Sequence, residues 1–182
     1  RWEKCELCGQ EYHGAVSCAL AWACWKTYVS RPETDEFRYF AMKTLARGLH
    51  HNHEAEALRV METIMAGAPR LGIQDPHELD SIRCGIACCY EGMGRYEDSL
   101  KIRQKDYDKT ADMLSCFDGL GSDVQKELSR TMGDIYTKHK NWHFSATYNL
   151  ANVLVNLHRY PEAKSLLRLE IPRARSALGD TD

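Results

Sequence analysis

Four side chains near the start of the chain have the residue types and spacing of a metal site. Cys5, Cys8, His13 and Cys18 follow one another as Cys-x2-Cys-x4-His-x4-Cys. Three thiolates and one imidazole suit tetrahedral coordination, so Zn2+ is the expected metal. Cys84 and Cys88 stand one helical turn apart; they could ligate a metal or respond to oxidation, but cysteine also packs as a small hydrophobe, and packing is expected there. His50-His51-Asn52-His53 reads as a solvated turn, because no acidic or thiol partner has helical spacing to it. No phosphate-binding glycine loop, nucleophile elbow or His-Glu-x-x-His motif occurs, so no catalytic residue is assigned.

Composition narrows the function classes further. The chain has 182 residues, 24 Lys plus Arg against 26 Asp plus Glu, and a formal net charge of −2. That balance argues against binding nucleic acid or an anionic membrane through bulk charge. Hydrophobic content of 43% with 27% charged residues is globular, and the fully apolar runs are too short to span a bilayer. Eight cysteines in a long, helix-patterned chain do not read as a disulfide framework. A reducing compartment such as the cytoplasm is expected. The chain opens at Arg1 without a methionine, so a missing N-terminus is expected, which leaves room for an organelle if a transit peptide was removed.

The elements that must position these residues are helical. From about residue 35 the apolar positions recur at helical spacing, which predicts helices near 35–50, 54–67, 77–92, 96–115, 123–139, 143–157 and 161–177. Ala19 to Trp25 reads as a further amphipathic helix, with Cys18 in its first turn and with Trp22 and Trp25 packing into the first repeat. Short connections imply antiparallel neighbours. An internal repeat overlies the helices. Ile86-Ala87-x-x-Tyr90-x-x-x-Gly94-Arg95-Tyr96-Glu97-Asp98-Ser99 recurs as Leu150-Ala151-x-x-Leu154-x-x-x-His158-Arg159-Tyr160-Pro161-Glu162-Ala163. A third copy runs from Met132-Gly133 through Lys140-Asn141-Trp142 to Ser145, and a shorter fourth from Leu45-Ala46 to Ala57. In each, a small residue follows a large one, letting two helices approach closely.

These segments resemble tetratricopeptide repeats of the kinesin-light-chain kind. The resemblance implies an all-α, right-handed solenoid of antiparallel helix pairs over residues 33–178, after a cysteine-rich segment with a capping helix at 1–32 and before a tail at 179–182. It also implies a groove lined by Lys43, Arg47, His50, Cys84, Cys88, Glu91, Arg130, Asp134, Lys138, Tyr148, Asn152 and Asn156. Its first repeat would present a positive face, and its last an amide-rich one. The function implied is a non-catalytic scaffold that holds a partner peptide or a subunit of a larger assembly.

The cysteine-rich start bears two resemblances and one bland reading. Its spacing is similar to a zinc knuckle, with Gly9 at the knuckle's tight turn, although Tyr12 stands at the second glycine position and the basic residues used on single-stranded RNA are absent. Cys5-Glu6-Leu7-Cys8-x-x-x-Tyr12 also resembles the last ligand pair of a RING-variant zinc domain. Joined to tetratricopeptide repeats, that arrangement is known among algal RING-variant proteins. This second resemblance implies the substrate-recruiting part of a ubiquitin ligase whose zinc domain lies largely outside the chain. On the third reading Cys5 and Cys8 are unmetallated thiols.

Overall fold

The computed structural model describes residues 2–50, 52–120, 124, 127 and 133–178, and leaves aside the side chains of 117, 118, 133–140 and 176–178. Among the described residues the chain is all-helical: α1 Gly14–Tyr28, α2 Glu36–Leu49, α3 Glu54–Gly67, α4 Pro76–Gly92, α5 Tyr96–Asp118, α6 Gly133–Asn156 and α7 Tyr160–Leu178. The one strand-like feature among them is an antiparallel bridge between Lys4 and Glu11 ahead of α1. The chain divides into two compact units, Arg1–Arg95 and Tyr96–Asp182.

Local chemistry explains where the helices begin. Asp35 caps α2 by accepting the N–H groups of Phe37 and Arg38 at 2.8 and 3.2 Å. Asp75 caps α4 by accepting from His77 at 3.0 Å, with Pro76 in the first helical turn, where its missing N–H costs nothing. In the first unit α1, α2, α3 and α4 pack in chain order. The small residues of the repeat pattern form its core: Ala46, Ala57 and Ala87 are each 1% exposed or less. Closest approach comes at Gly48, where an added Cβ would collide with Ala21 Cβ and meet the Ser17 carbonyl oxygen at 3.1 Å.

In the second unit α6 packs on both α5 and α7. Leu150, Leu154 and Ala163 form its core, with Leu100, Tyr107 and Leu166 against it. The turns that close α4 and α6 carry the same hydrogen bonds. Arg95 N–H bonds the Tyr90 carbonyl at 2.8 Å, and Arg159 N–H bonds the Leu154 carbonyl at 2.9 Å. In each turn the preceding residue has positive φ, 72° at Gly94 and 59° at His158. This matches the alignment of the two longest repeat copies residue for residue.

Two expectations need correction. Residues 133–156 form one helix, with no break between the helices expected at 123–139 and 143–157. Lys140 occupies the aligned position of Gly94 and His158 but stays helical, and Ser145, the expected core residue of that copy, is exposed. Lysine has little reason to enter the left-handed region that glycine takes freely. In addition, α1 starts at Gly14, so Cys18 lies in its second turn, and the helix is not amphipathic. Ala21 and Cys24 are its buried residues, whereas Trp22 is 42% exposed and Trp25 only partly buried. Both tryptophans instead flank a cleft of about 420 Å³ shared with Met42, Leu45, Val60 and Leu71. Small residues must face α2 there, because Gly48 brings the backbones too close for an indole.

Candidate functional site: a polar cavity walled by the cysteine hairpin

Before α1 the chain folds back on itself as a hairpin. Cys5 N–H donates to the Gln10 carbonyl at 2.8 Å, Gly9 N–H to the Cys5 carbonyl at 2.9 Å, and Tyr12 N–H to the Glu3 carbonyl at 3.0 Å. Gly9 turns it with φ 72°. The turn points the backbone N–H groups of Cys8 and Leu7 at the Cys5 sulfur. Those two bonds, with a side-chain hydrogen bond from Cys8, hold the Cys5 thiol below its ordinary pKa. Burial first, and then the same sulfur, raises the hydroxyl pKa of Tyr12. Backbone donors that favour the Cys5 thiolate on a two-cysteine turn are an arrangement that could supply two ligands to a metal ion.

The other half of the expected ligand set is elsewhere. His13 is the exposed N-cap of α1, and Cys18 sits on the helix face toward α2, its Cα 3.5 Å from where a Gly48 Cβ would be. Among the described residues no three His, Cys, Asp or Glu side chains cluster as a metal site. Cys5 and Cys8 could hold two positions of a metal ion, while Cys18 sits on α1 against Gly48 of α2.

Behind the hairpin the first unit holds a cavity of about 700 Å³. Its lining includes Met61 with the buried Ile64 and Ile82, the polar Lys43, Arg47, His50 and Asn52, and Glu11, Tyr12 and His13 from the chain ahead of α1. Lys43, Arg47 and His50, spaced four and three residues apart on α2 and its C-cap, line it together. Cys84, Cys88 and Glu91 lie partly buried along α4 and do not line this cavity; α4 contributes Ser81, Ile82 and Gly85 instead. Gly85 keeps the lining open, since a Cβ there would strike the Met61 sulfur. The neighbouring Cys89 is fully buried, and burial with the nearby Glu54 and Glu62 pushes its thiol up to about 11.

The positive face expected of this region is neutralised from within. Lys43 Nζ lies 2.5 Å from Glu78 Oε1, and Tyr39 donates its hydroxyl proton to the same oxygen. These two donors hold the Glu78 carboxyl below its usual range, and burial and Glu78 together raise Tyr39. Arg47 Nη2 lies 2.5 Å from Glu3 Oε1 on the hairpin. In the second unit Tyr148, Asn152 and Asn156 share an exposed stripe of α6, Tyr148 being 70% exposed. Asn156 Nδ2 donates to the Asn152 carbonyl at 3.0 Å. Asp134 and Lys138 are on α6 with side chains outside the described residues, and Arg130 lies outside them altogether.

Sequence reasoning passed over a buried polar cluster in the second unit. His143 Nε2 is 2.9 Å from Glu170 Oε2, and the two side chains are 0% and 2% exposed. Tyr107 donates to Glu170 Oε1 at 2.8 Å, Arg173 to the same oxygen at 3.0 Å, and Thr110 Oγ1 lies 3.1 Å from His143 Nδ1. Burial opposes ionisation of Glu170, but His143, Tyr107 and Arg173 together hold its carboxyl below the usual range. Burial and Glu170 raise Tyr107 to about 12. The signal was present in spacing: Glu170 falls four residues after Leu166 and seven after Ala163, on the apolar face of α7.

Among the described residues no helix is long and apolar enough to cross a membrane. Comparison of the chain with protein-family models, with curated proteins and with solved structures finds no match.

Proposed function

We propose that this chain is a protein-interaction module of tetratricopeptide-like helix pairs, and that it holds a partner segment in the cavity of its first unit. One observation carries the reading. Three residues that the tetratricopeptide resemblance assigns to the groove, Lys43, Arg47 and His50, line one cavity of about 700 Å³. The shared turn geometry at Gly94 and His158 supports the repeat register itself. Selection from a random peptide library on the immobilised full chain tests it. Recovered peptides should share a motif and lose binding in Lys43→Glu with Arg47→Glu. They should also lose it in Ser81→Trp, which fills the cavity and keeps both cations, with helical circular dichroism unchanged in each. A motif bound equally well by both variants would remove the cavity from the reading.

The cysteine hairpin favours a second role beside this one. Cys5 and Cys8 supply half of a zinc site whose remaining ligands come from outside the described residues, as in the RING-variant domain that the segment resembles. When bound, zinc would lock the turn and stabilise both thiolates. Elemental analysis of the untagged chain should find zinc well below one per chain, and unchanged in Cys18→Ala. Stoichiometric zinc abolished by Cys18→Ala would instead establish the complete knuckle of Cys5, Cys8, His13 and Cys18.

A further inference from the structure

We infer that a second cavity of the first unit, where Trp2, the end of α1 and the first turns of α2 meet, binds a small quaternary ammonium cation such as choline. This cavity holds about 500 Å³ and is lined by Trp2, Tyr28, Glu36, Phe37 and Phe40. It shares no lining residue with the cavity behind the hairpin, so the inference stands apart from the interaction site proposed above. Four aromatic rings beside one carboxylate match a cation sheathed in methyl groups. The ring faces attract positive charge, and their carbon surface packs against the methyls. A bare ammonium is more strongly hydrated and gains less from such a lining.

Two observations point to this ligand independently. The first is what two of the rings already do. Arg31 Cζ stands 5.3 Å from the Tyr28 ring centroid and 5.0 Å from that of Phe37, although Arg31 does not line the cavity. Tyr28 and Phe37 are stacked with centroids 5.7 Å apart and planes 19° from parallel, so one rigid pair takes a cation beside the cavity. The second observation is charge. Glu36 opens α2 and is exposed, and among the described residues no hydrogen bond or ion pair reaches its carboxylate. Its neighbour Asp35, by contrast, caps α2 and pairs with Arg31 at 3.2 Å. Glu36 and Phe40 stand one turn apart on one face of α2, which sets the unpaired carboxylate beside a ring 39% exposed. Exposed rings gathered round a cavity mark a binding surface. Apart from the Tyr28 hydroxyl and the Trp2 indole N–H, the rest of the lining is apolar. It therefore reads a compact cation and little of what the cation is attached to, which favours a free solute over a modified side chain on a polypeptide.

The test is isothermal titration of the full chain with choline and with its neutral isostere dimethylbutanol, in which a carbon replaces the charged nitrogen. Choline should bind saturably, about three- to tenfold more tightly than the isostere. Glu36→Gln should weaken choline about two- to fivefold at low salt and leave the isostere unchanged. Trp2→Ala and Phe40→Ala, neither of them in the core, should each weaken choline about threefold or more with helical circular dichroism unchanged. Ser81→Trp, which fills the other cavity, should not alter choline binding. Equal binding of choline and the isostere overturns the cation. Choline binding that Trp2→Ala and Phe40→Ala leave unchanged overturns the site, and the absence of saturable choline binding overturns both. A peptide carrying trimethyllysine is the last arm: binding no tighter than that of choline is expected, and tighter binding would overturn the free solute in favour of a modified lysine.

Discussion

The two units hold their helices together by opposite means. In the first, small residues bring backbones close: Gly48 sits against Ala21, and Ala46, Ala57 and Ala87 are sealed in the core. In the second, three helices converge on charged and polar side chains, with Glu170 accepting from His143, Tyr107 and Arg173. Small-residue packing is insensitive to pH and leaves concave space where the helices diverge, as at the cavity behind the hairpin. A buried polar cluster specifies one arrangement strongly but depends on the ionisation of its members. The difference teaches where to look for each property: binding in the first unit, and acid sensitivity from the second.

The largest effect should come from breaking the polar cluster. Glu170→Ala leaves the buried His143 and the partly buried Tyr107 without their acceptor and should cost about 3–5 kcal/mol in urea denaturation. Replacing His143 and Glu170 together with leucine should recover much of that loss, because an apolar pair of similar size needs no partner. Overpacking tests the first unit. Gly48→Val forces a branched side chain into Ala21 and the Ser17 carbonyl, and should cost about 1–3 kcal/mol. Gly85→Ala meets only the flexible end of Met61, so it should cost less than Gly48→Val in the same assay.

Acid separates the units by the size of their response, not by its sign. The Glu170 carboxyl is depressed in the folded state. Its stabilisation is therefore fully present above the unfolded carboxylate value of about 4.3 and is lost as pH falls through the folded value. Amide hydrogen exchange in α7 should accelerate as pH drops below about 4, after correction for intrinsic rates, and the acceleration should be smaller in Glu170→Gln. Glu78 has a depressed pKa for a similar reason, but it is partly exposed. Solvent screening makes its share smaller, so α4 should respond less than α7. Smallest of the stability effects is the turn: Gly94→Ala places a Cβ at φ 72° and should cost about 1 kcal/mol.

Much of the helical order was legible because its signals are local. Asp35, Asp75 and Pro76 mark helix starts by satisfying or lacking particular N–H groups, and the structure uses them so. The small-residue register was legible at Ala46, Ala57, Ala87, Ser99, Ala151 and Ala163, all of them buried, since close packing tolerates little else. It failed at Lys140 and Ser145, where the pattern of letters repeats but the residue able to turn the chain is missing. Among the described residues His13 and Cys18 do not gather with Cys5 and Cys8 into a group of three or more ligands, and a helix beginning at Gly14 carries Cys18. The Glu3–Arg47 and Lys43–Glu78 pairs join residues 44 and 35 positions apart, a separation at which a single sequence carries no register. His143 and Glu170 were hidden because a charged residue on a helix is ordinarily read as solvated, even when its spacing places it among leucines.

One titration tests the central claim that the first unit's cavity is the interaction site. The full chain, with labelled methionine, isoleucine, leucine and valine methyl groups, is titrated with a peptide recovered by the library selection and followed by methyl chemical shifts. Shifts at Met61, Ile64 and Ile82 that saturate together, with Leu150 and Val153 unmoved, are the predicted result. Saturating shifts at Leu150 and Val153, under the Tyr148–Asn152–Asn156 stripe of α6, with the cavity methyl groups silent, would contradict it.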